Sequence, residues 1–169
     1  MKQWLTRLIA LAVVLAVVFW LWQALFPSPE HVIRNRVAKV ARLISFSSNE
    51  GNLTTLSKVS SLLTYFSPDI QCSIETPDIP DAGDWTIAGR EDLRNNVLSA
   101  HSMVESLRAE FIDVTVAIAP DRQTATAELT ARVSLPNDKD FIVHEMKFTL
   151  KNVGGQWLIT RVETVKTLG

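Results

Sequence analysis

Cysteine is nearly absent from the chain: Cys72 is the only one in 169 residues. A lone thiol excludes an internal disulfide framework and any structural zinc site built on cysteines. Ile70, Cys72 and Ile74 alternate with Gln71, Ser73 and Glu75, so the thiol is expected on the apolar face of a strand, where free cysteine behaves as a small hydrophobe. A basic surplus is lacking too. With 17 Lys and Arg against 18 Asp and Glu, the formal net charge is -1, whereas a general nucleic-acid binder carries cations enough to neutralise several phosphates. No nucleic-acid partner is expected. Histidine is scarce, and His31, His101 and His144 stand at no ligand spacing such as His-x-x-x-His, so neither a metal nor a cofactor is expected. Ser102 and its neighbours have no nucleophile elbow and no adjacent base. No catalytic cluster strong enough to name a reaction is present.

What the chain does have is an apolar run. Residues 8–26, Leu8 to Phe26, carry no charge, and Gln23 is their one strongly polar residue. As a helix these 19 residues would be about 28 Å long, against roughly 30 Å of bilayer hydrocarbon. Twelve of them are Leu, Ile, Val or Phe, which sums to roughly 4–7 kcal/mol in favour of insertion. Trp4 precedes the run and Trp20 and Trp22 lie near its end, where indoles favour the interface. A cleaved signal peptide would end in small residues, but this run ends Trp22-Gln23-Ala24-Leu25-Phe26-Pro27. We therefore read a short tail at 1–7, a single transmembrane helix at 8–26, a linker at 27–30 and one domain at 31–169. Lys2 and Arg7 flank one end of the span, and Arg34, Arg36, Lys39 and Arg42 follow the other. The charge rule is close to balanced. The seven-residue tail with two cations fits a signal anchor, so the domain is expected outside the cytoplasm.

The basic residues cluster beside this run. Residues 1–50 carry a net +4 and the remainder -5. After Pro27-Ser28-Pro29, which stops the span, Val32 or Ile33, Val37, Val40 and Ile44 recur at helical spacing with Arg34, Lys39 and Arg42 off the stripe. That membrane-proximal basic face, Arg34, Arg36, Lys39 and Arg42, is either solvated or laid on anionic headgroups. Leu53 to Phe66 reads as a second helix on Leu56, Val59, Leu63 and Phe66, and Ile70 to Glu75 as a strand. A loop at Thr76 to Asp84, a brief strand at Trp85 to Ala88 and a third helix from Gly89-Arg90-Glu91-Asp92-Leu93 follow. In that helix His101 is spaced for packing with Val97 and Val104.

The last third reads as sheet. Leu107, Ala109 and Phe111 share one parity, then Ile112, Val114, Val116 and Ile118 the other, the mark of a β-bulge in a long strand. Thr124 to Leu135 alternates cleanly, and Phe141 to Lys151 and Gln156 to Thr167 are joined by Asn152-Val153-Gly154-Gly155, a hairpin signal. Four sequential strands with short turns predict an antiparallel meander. Helices first and strands last make the class α+β.

Three stretches carry a family resemblance: Tyr65-Phe66-Ser67-Pro68-Asp69-Ile70, Gly89-Arg90-Glu91-Asp92-Leu93 and Gly155-Gln156-Trp157-Leu158-Ile159-Thr160-Arg161-Val162. With the order of elements, they make the chain from residue 31 onward resemble the nuclear-transport-factor-2-like, or SnoaL-like, superfamily. The resemblance implies three helices and a bent antiparallel sheet wrapped into a cone. It also implies two kinds of function, because the superfamily holds both ketosteroid isomerase-like or dehydratase-like enzymes and non-enzymatic binding or assembly modules. Isomerase-like members place a base in a stretch resembling Val-Glu-Asp-Pro. Here Ile74-Glu75-Thr76-Pro77 puts threonine at that place, and a one-residue slip is needed to bring in Glu75.

Alternation places Ile142, His144, Met146, Phe148 and Leu150 on one face, expected to line the cone's interior. His144 among hydrophobes is either an acid or base near neutral pH or a hydrogen-bonded core histidine. The catalytic candidates are thus Glu75 and His144. The reading favoured on these grounds is a membrane-anchored, non-enzymatic module that binds a protein partner or a small apolar ligand. The alternative is a tethered isomerase or dehydratase acting on such a ligand. The resemblance also implies homodimerisation through the sheet's outer face as a further mode; the outer row, Thr124, Thr126, Glu128, Thr130 and Arg132, is polar and fits either solvent or a wet interface.

Overall fold

Residues 13–17, 28–74, 85–135 and 141–165 are described by a computed structural model. Only residues 13–17 of the apolar run fall among them. They are helical, with Val13, Val14, Leu15 and Val17 exposed. Among the described residues no helix is long and apolar enough to cross a membrane.

Ser28 opens the domain as an N-cap, its hydroxyl accepting the His31 N–H at 3.3 Å. Proline at the first helical position costs no hydrogen bond there, so helix α1, Pro29–Ile44, begins inside the stretch expected to be linker. Its stripe is Ile33, Val37, Val40 and Ala41, all buried; Ile33 takes the place left open between it and Val32. Ser45 ends the helix in extended backbone. The Ser45 hydroxyl donates to the Ala41 carbonyl at 2.8 Å and accepts the Ala109 N–H at 3.0 Å. A cap is thereby also a tie to the sheet.

Helix α2, Asn52–Leu63, stops three residues short of the expected Phe66. Tertiary pairing overrides the helical spacing there. The Tyr65 carbonyl accepts the Ile159 N–H at 2.9 Å, and Phe66 pairs with Ile159 as the first residue of strand β1, Phe66–Ile74. The stripe rotates accordingly, with Val59 and Leu62 buried and Leu56 exposed. Cys72 is buried on β1 as the alternation requires, and burial pushes its thiol up to about 11.

Strand β2, Trp85–Ala88, runs antiparallel to β1. Helix α3, Arg90–Met103, follows at Gly89 and buries Leu93. Its acidic first turn works through Asp92, whose carboxylate accepts the Ala88 N–H at 3.1 Å.

Strands β3, Arg108–Ile118, β4, Thr124–Ser134, β5, Ile142–Val153, and β6, Gln156–Thr164, form the antiparallel meander. The bulge in β3 is present. Register shifts between Ile112 and Thr115, with Asp113 at φ 54°, so the inward set passes from Ala109 and Phe111 to Val114, Val116 and Ile118. Ile112 stays on the outer side of the switch. Gly154 and Gly155 at φ 59° and 83° make the two-residue hairpin.

The sheet order is β2-β1-β6-β5-β4-β3. The all-antiparallel sheet expected from sequence is corrected to a curled mixed one, because β1 pairs parallel with β6. Their connection contains β2, α3 and the first three strands of the meander, so no tight turn dictates their relative direction. The core lies between the helices and the inner face of the sheet. Ile33, Val37, Val40, Leu62, Ile70, Leu150 and Ile159 are essentially sealed from solvent, and Phe111 meets Phe148 edge-on at 5.6 Å.

Candidate functional site

A groove of about 680 Å³ opens where the segment after α1, the start of α2 and the end of α3 converge. That size falls within the usual range for a small-ligand site. Its floor is fixed by the sheet. Phe46 and Leu107 exchange backbone hydrogen bonds of 2.8 and 3.0 Å, which holds the Phe46 ring in place, and the imidazole of His101 from α3 stacks on it at 3.7 Å. Leu56 and Leu98 supply apolar wall, and Met103 stands 78% exposed at the mouth. Ser47, Ser48, Asn52, Thr55 and Ser102 add polar lining.

One ion pair braces this end. The Lys58 ammonium on α2 donates to Glu50 and, at 3.3 Å, to the Ser45 carbonyl, which links the end of α1, the connecting segment and α2. The Lys58 hydrogen bond holds the Glu50 carboxyl below the usual range, against the opposing effect of burial. Burial lowers His101, the Glu50 charge opposes that, and Lys58 lowers it further. The net direction favours the neutral imidazole of His101. Glu50 Oε2 and His101 Nε2 are buried without a hydrogen-bond partner among the described residues.

Lys58→Met should destabilise the protein by about 1–2 kcal/mol at pH 7, since it leaves a mostly buried carboxylate unpaired. The sign with pH follows from the depressed Glu50 value. Its contribution is present above the unfolded carboxyl value of about 4.3 and is lost as pH falls through the lower folded value. Urea unfolding of both proteins should show the gap shrinking below about pH 4; a gap constant down to pH 3 would remove Glu50 as the titrating group.

The basic residues expected together do not all share one face. Arg34, Lys39 and Arg42 are exposed, but the Arg36 guanidinium lies 4.8 Å over the Tyr65 ring with Nε buried. Burial lowers its pKa. Arg36 is a packing residue between α1 and the start of β1.

Met146, Phe148 and Leu150 are buried in the core, while Ile142 and His144 are half-buried opposite Val133 and Ala131. None of these five residues lines the groove just described. Glu75 lies outside the described residues. The last described residue before it, Ile74, ends β1, and β6 separates β1 from the strand of His144. On the outer face Glu128 sits opposite Lys147, which pairs with Glu163 at 3.8 Å. His101 was legible only as a packing residue. Its partners Phe46 and Glu50 are more than fifty positions away, and no local spacing joins them.

The fold is that of nuclear-transport-factor-2-like proteins, also described as cystatin-like. The chain is similar to a nuclear-transport-factor-2-like protein from Novosphingobium aromaticivorans, at 17% identity over 92% of this chain and 89% of that one, TM-score 0.63. It is similar to a protein of this fold and unknown function from Pseudomonas putida KT2440, at 13% identity over 83% and 87%, TM-score 0.61. A candidate scytalone dehydratase from Novosphingobium aromaticivorans is similar at 13% identity over 82% and 83%, TM-score 0.56. Identities this low show a shared fold and leave function open. In sequence the chain matches no family model and no curated protein.

Proposed function

We propose that the chain is a membrane-anchored, non-enzymatic binding module whose domain, held outside the cytoplasm, takes a protein partner or a small apolar ligand in the groove. The anchor rests on the uncharged run 8–26 and its flanking tryptophans. The binding role rests on one observation: a groove of ligand size with a rigid aromatic floor, Phe46 under His101, and apolar side chains standing exposed at its mouth. Exposed apolar surface gathered at a concavity marks a binding site more often than scattered surface hydrophobes do.

A photo-crosslinker at Met103 in the full chain, activated in native membranes, should give a discrete adduct that Leu56→Glu weakens at least several-fold. The same probe at Arg122, on the exposed β3–β4 turn, should give none. Equal labelling at both positions would sink the groove as the binding site.

A tethered isomerase or dehydratase is the second reading, favoured by the fold shared with the candidate scytalone dehydratase. It needs Glu75 or His144 as base. Turnover of a small apolar substrate that is lost in Glu75→Gln or His144→Ala would support that reading, and turnover unchanged in both would end it.

A further inference from the structure

Helix α1 presents two opposed faces. At about 100° per residue, the side opposite Ile33, Val37 and Val40 holds Asn35, Lys39 and Arg42, with Arg34 on its flank, and all four are exposed. Among the described residues none of the three cations pairs with an acid. Arg36, the fourth basic residue of the helix, is taken up by Tyr65, and Glu30 in the first turn is the helix's one acid. A face of exposed, unpaired cations is common on soluble proteins. The distance to the apolar run sets this one apart.

The run ends at Phe26 and α1 begins at Pro29, which at full extension is about 10 Å of chain. Arg34, Lys39 and Arg42 then lie about 8, 15 and 20 Å along the helix axis. Screening at physiological salt has a length of about 8 Å. An upright α1 takes Lys39 and Arg42 beyond that reach, whereas an α1 parallel to the bilayer keeps all three cations at the headgroups. The two cations that the poses place differently, Lys39 and Arg42, shift such an equilibrium by on the order of thirtyfold. We infer that α1 lies flat on anionic lipid headgroups, with Arg34, Lys39 and Arg42 turned toward the bilayer. The inference rests on the anchor in the proposed function, because the tether brings the face within range.

The test uses the full chain reconstituted into vesicles of phosphatidylcholine alone or mixed with phosphatidylglycerol, with a fluorophore on Asn35→Cys. Cys72 is buried and its thiol is held protonated, so the new cysteine is the one labelled. Quenching by acrylamide should fall several-fold in the anionic vesicles. It should recover in Arg34→Glu/Lys39→Glu/Arg42→Glu, and also at 1 M salt, where the screening length is about 3 Å. Equal quenching in both compositions would overturn the inference. So would protection that survives charge reversal and salt, or protection seen only in native membranes, which would assign the face to a protein. Flotation at 1 M salt separates the two claims. A chain that floats but is quenched equally loses only the flat helix, whereas a chain that salt strips from the vesicles loses the anchor and the inference with it.

Discussion

Ile159→Ala is expected to destabilise the protein by about 2–5 kcal/mol. Ile159 sits on β6, 1% exposed, with Phe66 of β1 on one side and Leu150 of β5 on the other. Its N–H bonds the Tyr65 carbonyl, a contact the alanine variant keeps. The loss is therefore the side chain alone: the transfer free energy of the missing carbons plus the cavity they leave. Urea unfolding of the full chain in detergent should show a lower midpoint with an unchanged slope. Val153→Ala, at the exposed hairpin, should change stability by less than about 0.5 kcal/mol. A loss below about 1 kcal/mol at Ile159 would mean that β6 is not packed as described.

Gly89→Ala should cost about 1–3 kcal/mol for a different reason. Gly89 joins β2 to α3 at φ 90°, ψ 161°, a region open essentially to glycine alone. An added Cβ would meet the Pro68 carbonyl at 3.6 Å, an ordinary contact, so the penalty is backbone strain and not a clash. The local geometry leaves little room to relax it, because the Gly89 N–H bonds the Ile70 carbonyl at 2.7 Å across to β1. Gly154→Asn offers the contrast. Its φ of 59° is a value that asparagine tolerates, and thermal unfolding should separate the two variants by several degrees. Equal midpoints would remove strain as the cause.

The local devices were readable from the residues. The alternation of β4, the parity change in β3 and the Gly154-Gly155 turn each depend on neighbours within a few positions, and each is present, the switch in β3 falling after Ile112 and not at it. The stripe of α1 was readable for the same reason. What depended on distant partners was not. Leu63 to Phe66 continue a helical spacing, yet the pairing of Phe66 with Ile159 draws the chain into a strand. The parallel direction of β1 against β6 has no local signature, nor has the stacking of His101 on Phe46. Arg36 looked like a fourth member of a basic face until Tyr65, 29 residues on, was found beneath it. The groove is built almost wholly from such distant meetings, which is why the sequence pointed to His144 and Glu75 instead.

The sheet order has a consequence for how the chain is made. β6 emerges last of the six strands and lies third in the sheet, between β1 and β5. During synthesis β1 and β2 leave the ribosome before their inner neighbour exists. At about 5–20 residues per second the wait from Ile74 to Gln156 is roughly 4–16 s, with the apolar side of Ile70 and Cys72 lacking its β6 neighbour. With the proposed anchor in place, that interval would pass beside a bilayer, where an uncovered strand has lipid and translocation machinery as competitors. Completion of this domain is thus set by its final strand.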